Sequence, residues 1–164
     1  FNEVFYRNYR GWEKDRLTEL GRSSFAAITR PRLYREGEST VAHHRAQGRR
    51  VVLVTGTLDF IVAPLAAHLG VTDVLSAQLE FVDERATGKL AAPPLGGDEK
   101  ARQVEQFVRQ HGLDLADGFA YGDGPAGAPL LSVVGHPVAV NPSRSLRGIA
   151  AERGWEVQEW HLEN

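Results

Sequence analysis

A chain of 164 residues is enough for one α/β core with a small helical appendage and too short for two full domains. Hydrophobic residues at 42% and charged residues at 24% are a globular balance, and a formal net charge of −2 leaves no basic field for a nucleic acid and no polybasic membrane signature. With no Cys, disulfides, thiolate chemistry and Cys-containing zinc sites are excluded, and no apolar run approaches the ~20 residues that cross a bilayer.

A soluble, cytoplasmic protein without membrane insertion is expected, its oligomeric state left open. The chain also has no Met, so it is expected to be a fragment or, as the alternative, the product of a processed precursor.

From Phe1 to about Gln47 the pattern is helical and rich in Arg and aromatics. Val4, Phe5, Tyr9 and Trp12 fall at near-helical spacing, and Gly11, Gly21 and Pro31 act as breaks between short helices. No β-type apolar run interrupts this stretch, so it is expected to pack on another part of the protein rather than to supply a sheet strand. After Gly48 the β-branched run Arg50–Thr55 has the signature of a strand buried on both faces of a parallel sheet. Gly56 ends that run, and Thr57 is placed to cap a helix reaching Leu69, with Asp59 in its first turn.

Val71–Ala77 is expected to form a second strand, and Gln78–Leu90 a hairpin around Asp83-Glu84-Arg85. A loop through Pro93, Pro94, Gly96 and Gly97 leads to a helix over Asp98–His111. Next come a short strand entering Gly122-Asp123, a short helix over Pro129–Val134, a strand at Val138–Val140, a helix over Ser143–Arg153 and a last strand at Glu156–Trp160. Strands alternating with helices imply an α/β fold with a doubly wound, parallel, Rossmann-like sheet.

Ligands in such sheets bind at the carboxyl ends of the strands. Thr55 and Gly56 lie there, beside a helix N-terminus, where a hydroxyl and backbone N–H groups can hold a phosphate oxygen or simply cap the helix. Lys100 near the start of its helix works against the helix dipole, which a phosphate or carboxylate would compensate and a solvated surface would tolerate. Asp123 at a strand end suits a hard divalent cation, and equally suits a turn. His43-His44 on a helix point about 100° apart and read as solvated histidines. Arg7, Arg10, Arg30, Arg32 and Arg35 suit either an anionic entrance or a charged helix surface.

The order of these features resembles the haloacid dehalogenase superfamily, and within it the phosphoserine-phosphatase-like type whose helical cap precedes the second motif. Val51-Val52-Leu53-Val54-Thr55-Gly56 looks like that motif, and Lys100 looks like the third. Tyr121-Gly122-Asp123 with Pro129-Leu130-Leu131 looks like the fourth, and Val134 to Pro142 is similar to the stretch on the C-terminal side of the fourth motif in this subfamily.

The resemblance implies a helical cap over residues 1–47 and a core over 48–164 whose first, central strand is missing. It also implies a Mg²⁺-dependent hydrolase acting on a small phosphorylated substrate through an aspartyl-phosphate intermediate. Thr55 and Gly56 would bind the phosphoryl group, Lys100 would offset charge on nucleophile and phosphate, and Asp123 would ligate Mg²⁺.

Two departures qualify this. The family's Asp-x-Asp nucleophile motif precedes the cap, and no such pair occurs early in this chain, so the chain is expected to be inactive alone. Gly127 also stands where the fourth motif usually has a second Asp. A non-catalytic binding or regulatory module of the same fold is therefore the rival expectation. A dinucleotide-binding oxidoreductase is disfavoured, because Thr57-Leu58-Asp59-Phe60-Ile61 lacks the glycines that close approach to a pyrophosphate needs.

Overall fold

The computed structural model describes residues 6–162. Val4 and Phe5, assigned to the first helix from the sequence, lie outside them. The chain divides into two compact units, one of Phe1–Leu95 with Leu162–Asn164 and one of Gly96–His161. Both are mixed α/β with parallel strands joined through helices, a Rossmann-like arrangement.

The first unit contains α1 (Lys14–Ser24), α2 (Arg35–Ala46), β1 (Val52–Leu58), α3 (Asp59–Leu69), β2 (Asp73–Ala77) and the antiparallel hairpin of β3 (Leu79–Val82) and β4 (Arg85–Leu90). Strands β1 and β2 pair in parallel. Gly21 does not break the first helix as its composition suggested. It lies inside α1 because a Cβ there would sit 1.8 Å from the Phe60 carbonyl oxygen, so only glycine lets α1 approach the start of α3. A π-helical turn at Phe25–Thr29 and a 3-10 turn at Arg30–Arg32 then unwind the helix around Pro31.

The residues just before α1 join the hairpin. Gly11 N–H donates to the Ala86 carbonyl at 2.8 Å and Ala86 N–H to the Trp12 carbonyl at 2.9 Å, and Glu13 makes an antiparallel bridge to Arg85. Residues 11–13 thus lie along the hairpin despite lacking an apolar β run, because the pairing uses backbone groups and the Arg85–Glu13 ion pair. Asp83 and Glu84 close the hairpin with φ of 47° and 62°, the geometry of a tight primed turn. Leu17, Leu58, Ala77, Leu79 and Ala86 are buried together with Tyr6, and Tyr9 meets Trp12 and Phe60 edge-on. Each large side chain buried in this way contributes about 1.5–3 kcal/mol.

The second unit contains α4 (Gly97–Gln110), β5 (Phe119–Gly122), α5 (Ala128–Leu131), β6 (His136–Val140), α6 (Arg144–Arg153) and β7 (Glu156–Gln158). Its three strands pair in parallel in the order β5-β6-β7. Ala120, Leu131, Ala139, Leu146 and Ala150 form its core, against which Trp155 packs. Gly135 is needed where the chain turns into β6, since a Cβ would lie 1.7 Å from the Ala116 carbonyl oxygen. Ser143 caps α6 by accepting from Leu146 N–H at 3.3 Å. The last strand stops at Gln158, short of the Trp160 expected, because the Trp160 backbone bonds the Asn141 side chain instead.

Candidate active site

The β1 end carries the first candidates. Its ladder with β2 is regular through Val54↔Leu75 and resumes only at Leu58↔Ala77, so Thr55, Gly56 and Thr57 form a bulge. The sequence placed the strand's end at Gly56 and a cap at Thr57. Instead the strand re-forms at Leu58, which is buried opposite Ala77 and pulls the backbone back into register.

Helix α3 therefore begins at Asp59, with Leu58 in the cap position and no side-chain cap. The Asp59 carboxylate instead accepts from Phe60 N–H at 2.7 Å. Thr55 Oγ1 accepts from Thr57 N–H at 3.0 Å, which fixes the hydroxyl at the bulge and leaves its proton free to donate outward. Gly56 is exposed, and a Cβ there would come within 2.9 Å of the Leu95 carbonyl oxygen, so the bulge lies close against the loop that ends at Leu95.

In the second unit, Lys100 lies in the first turns of α4, half-buried, and its ammonium has no hydrogen bond or ion pair among the described residues. Its neighbour Glu99 does not neutralise it. Glu99 is taken by Arg102, at 2.6 and 2.8 Å, and by Gln103, and these bonds hold its carboxyl at about 2, well below the ordinary 4.5.

Asp123 comes directly after β5. Its carboxylate is exposed and unpartnered among the described residues, while its carbonyl accepts from Ser143 N–H at 2.8 Å. Helix α4 packs against the Pro125–Gly127 turn and against α5, so the element carrying Lys100 and the loop carrying Asp123 are neighbours. Gly127 has ordinary helical angles, φ −88° and ψ −15°, and a Cβ would meet nothing nearer than Gly122 Cα at 4.0 Å.

The other candidates fall elsewhere. His44 is buried rather than solvated, and burial first, then the Arg49 and His43 charges, pushes its imidazole below the usual value. Arg30 and Arg35 line a cleft of about 290 Å³ with Glu38 and His68, whereas Arg32 turns back onto the Ile28 carbonyl at 2.9 Å. Arg7 and Arg10 are exposed.

For a divalent cation, the donor chemistry at Asp123 fits as one ligand: hard carboxylate oxygens, open to solvent, with no competing cation among the described residues. Among those residues no three His, Asp or Glu side chains gather as a metal cage. Mg²⁺ commonly takes only one or two protein carboxylates and completes its shell with water and phosphate oxygens. Thr57 and Ser143, read from the sequence only as helix starts, donate their backbone N–H groups to the Thr55 hydroxyl oxygen and the Asp123 carbonyl, and Asn141, two residues before Ser143, bonds Trp160 through its side chain. A polar residue immediately before Pro142 at a strand end was the available signal.

A profile of the haloacid dehalogenase-like hydrolase family matches residues 1–132, and the chain belongs to that family. Among its relatives, Phosphoserine phosphatase SerB1 of Mycobacterium tuberculosis is 34% identical over 146 residues, covering 89% of this chain and 47% of that protein. A Histidinol-phosphatase of Neisseria meningitidis is 29% identical over 178 residues, covering 95% of this chain and 80% of that protein. A Bordetella pertussis protein of unknown function is similar in structure, with a TM-score of 0.88 and 32% identity, over 96% of this chain and 72% of that one. Against the mycobacterial phosphatase, this chain thus spans about half the length.

Proposed function

We propose that these residues are the cap and most of the core of a Mg²⁺-dependent phosphomonoester hydrolase, with residues 1–47 as cap and 48–164 as core. The nucleophilic Asp-x-Asp pair and the central strand would come from the part of the protein preceding Phe1, so this chain alone would be inactive. The observation that carries the reading is the Asp123 loop: an open, unpartnered carboxylate at the end of a parallel strand, with the helix of an unpaired Lys100 packed against that loop.

Each residue then has a definite task. The Thr55 hydroxyl donates to a phosphoryl oxygen, its orientation set by the Thr57 amide, and the Gly56 N–H adds a second donor. Lys100 offsets the charge that accumulates when a carboxylate oxygen attacks phosphorus and the bond to the leaving alcohol breaks. Asp123 would hold the cation, which when bound neutralises the phosphate. Water then releases phosphate from the aspartyl group, and the cap limits when water enters.

The relatives named for phosphoserine and histidinol phosphate suggest a small phosphorylated amino acid or amino alcohol as substrate. The second reading, a fold that binds a phosphorylated ligand without turnover, is favoured by the open space at Gly127.

The test is phosphate release by the protein extended upstream of Phe1, on a panel of small phosphomonoesters with and without Mg²⁺. The proposal expects Mg²⁺-dependent turnover that Lys100→Ala reduces by about 10²-fold or more, in line with loss of a charge-stabilising group. An extended protein that carries the aspartate pair, binds the esters and releases no phosphate supports the non-catalytic reading instead.

A further inference from the structure

We propose that Asn141 is a positioning residue, and that it and the Ser143 amide form a strap holding the Asp123 loop against the end of β6. The functional consequence rests on Asp123 as a cation ligand; the strap itself rests on geometry alone.

The paired strands end together. The β5–β6 ladder stops at Gly122↔Ala139 and the β6–β7 ladder at Val140↔Gln158, leaving Asn141 as the next residue on the central strand. Asn141 has φ 42°, a left-handed conformation that a side chain rarely keeps without compensation. Asp83 and Glu84 share that sign of φ, but a hairpin turn demands it of them. Asn141 sits in no such hairpin.

The compensation lies in its side chain. Nδ2 donates to the Trp160 carbonyl at 3.0 Å while Trp160 N–H donates to Oδ1 at 2.8 Å. The carboxamide thus behaves as one more peptide unit of the ladder, continuing the β6–β7 pairing after Asn141 N–H has bonded the Gln158 carbonyl at 2.9 Å. Its donor and acceptor in one plane are what the task needs, and asparagine tolerates the left-handed region better than most residues.

With the side chain holding β7's extension, the main chain is free to turn the other way. Two residues on, Ser143 N–H reaches across to the Asp123 carbonyl at 2.8 Å. The far end is anchored as well: Ser143 Oγ caps α6 through Leu146 N–H, and the Leu146 side chain is fully buried. The strap runs from Trp160 through Asn141 and Ser143 to Asp123, on a loop whose Gly124 and Gly127 give it little stiffness of its own.

The experiment uses the whole protein and two readouts: amide hydrogen exchange across residues 123–127, and Mn²⁺ titration followed by electron paramagnetic resonance, well below every variant's melting temperature. Asn141→Gly keeps the backbone angle and loses both side-chain bonds; Asn141→Asp keeps the acceptor and loses the donor. Ser143→Pro deletes the amide at a φ of −55° that proline accepts, and Ser143→Ala keeps the amide while losing the cap.

The strap predicts faster exchange confined to the Asp123 loop in Asn141→Gly and Ser143→Pro. It also predicts a half-saturating Mn²⁺ concentration raised by about 10-fold or more, as loss of a ligand's support typically gives. Asn141→Asp should fall between, and Ser143→Ala should leave Mn²⁺ affinity unchanged. Exchange that rises uniformly over residues 97–161 with Mn²⁺ affinity intact would reduce Asn141 to a structural residue and overturn the proposal. If the unsubstituted protein binds no Mn²⁺, the cation reading of Asp123 fails, and the locality of the exchange still decides the strap.

Discussion

Each unit brings a glycine to the carboxyl end of a parallel strand, and the two glycines are there for different reasons. Gly56 lies under the Leu95 carbonyl, where a methyl group would come within 2.9 Å, so any other residue would force the backbone to shift. Gly127 has common helical angles and open space around its missing Cβ. The first glycine is a consequence of packing, whereas the second is a vacancy in chemistry that the fold would let a larger residue fill. A glycine in a motif is therefore informative only once its surroundings are known.

The largest effects should come from the two separate cores. Leu17→Ala in the first unit and Leu146→Ala in the second each remove a side chain that is 1% exposed or less, and each should cost about 2–5 kcal/mol. Denaturation monitored at Trp12 for one unit and at Trp155 and Trp160 for the other shows whether they unfold together. A single transition shifted equally at both probes by either substitution would mean that the units, though compact in themselves, are thermodynamically one domain.

A smaller and sharper test is the glycine pair. Gly56→Ala should destabilise by about 1–3 kcal/mol, the usual cost of forcing atoms into a packed region. Gly127→Ala should change stability by no more than about 0.5 kcal/mol, as for an unconstrained surface site. Equal costs in urea denaturation would erase the distinction drawn between the two sites.

The same contrast shows what was legible in the residues. The β-branched Val51–Val54 run, the turn at Asp83-Glu84 and the apolar stripe of α4 announced their elements because strand pairing and turn geometry leave local traces, although β1 is half-buried along Val52–Thr55 rather than buried on both faces. The order Thr55-Gly56, Lys100, Asp123 supplied the candidates, since strand ends and helix starts are where a chain displays such groups.

What stayed hidden depended on partners distant in sequence. Gly21 looked like a helix break because nothing local reveals the Phe60 carbonyl, and the bulge at Thr55–Thr57 appears only when Leu58 is seen to pair with Ala77. His44 looked solvated beside His43, yet the helix turns it inward. Asn141 before Pro142 does not reveal its partner, because its two bonds reach 19 positions along the chain.

His44 offers the first pH test. Its imidazole titrates below the ordinary 6.5, chiefly because it is buried and then because of the nearby Arg49 and His43 charges. The fold thus prefers the neutral ring. The stability contributed by this preference is complete above 6.5 and is lost as pH falls through the lower, folded value. Stability measured from about pH 7 down to about pH 5 should decline, and His44→Gln should flatten part of that decline; an unchanged slope would mean other groups dominate it.

The smallest expected effect concerns Glu99, and it bears on Lys100. Arg102 and Gln103 hold the Glu99 carboxyl at about 2, so its contribution is complete above its ordinary 4.5 and fades as pH falls through about 2. The pair is exposed, so solvent screens it and little stability should change. The charge balance along α4 is the sharper readout. Arg102→Ala should let the Glu99 carboxyl rise toward its ordinary value, visible in a carboxyl-carbon nuclear magnetic resonance titration. It should also release Glu99 as a competitor for the adjacent ammonium, weakening any phosphate bound at Lys100. If Glu99 titrates unchanged after Arg102 is removed, Gln103 and the helix N-terminus suffice to hold it, and Lys100 owes its freedom to the helix rather than to its neighbour's ion pair.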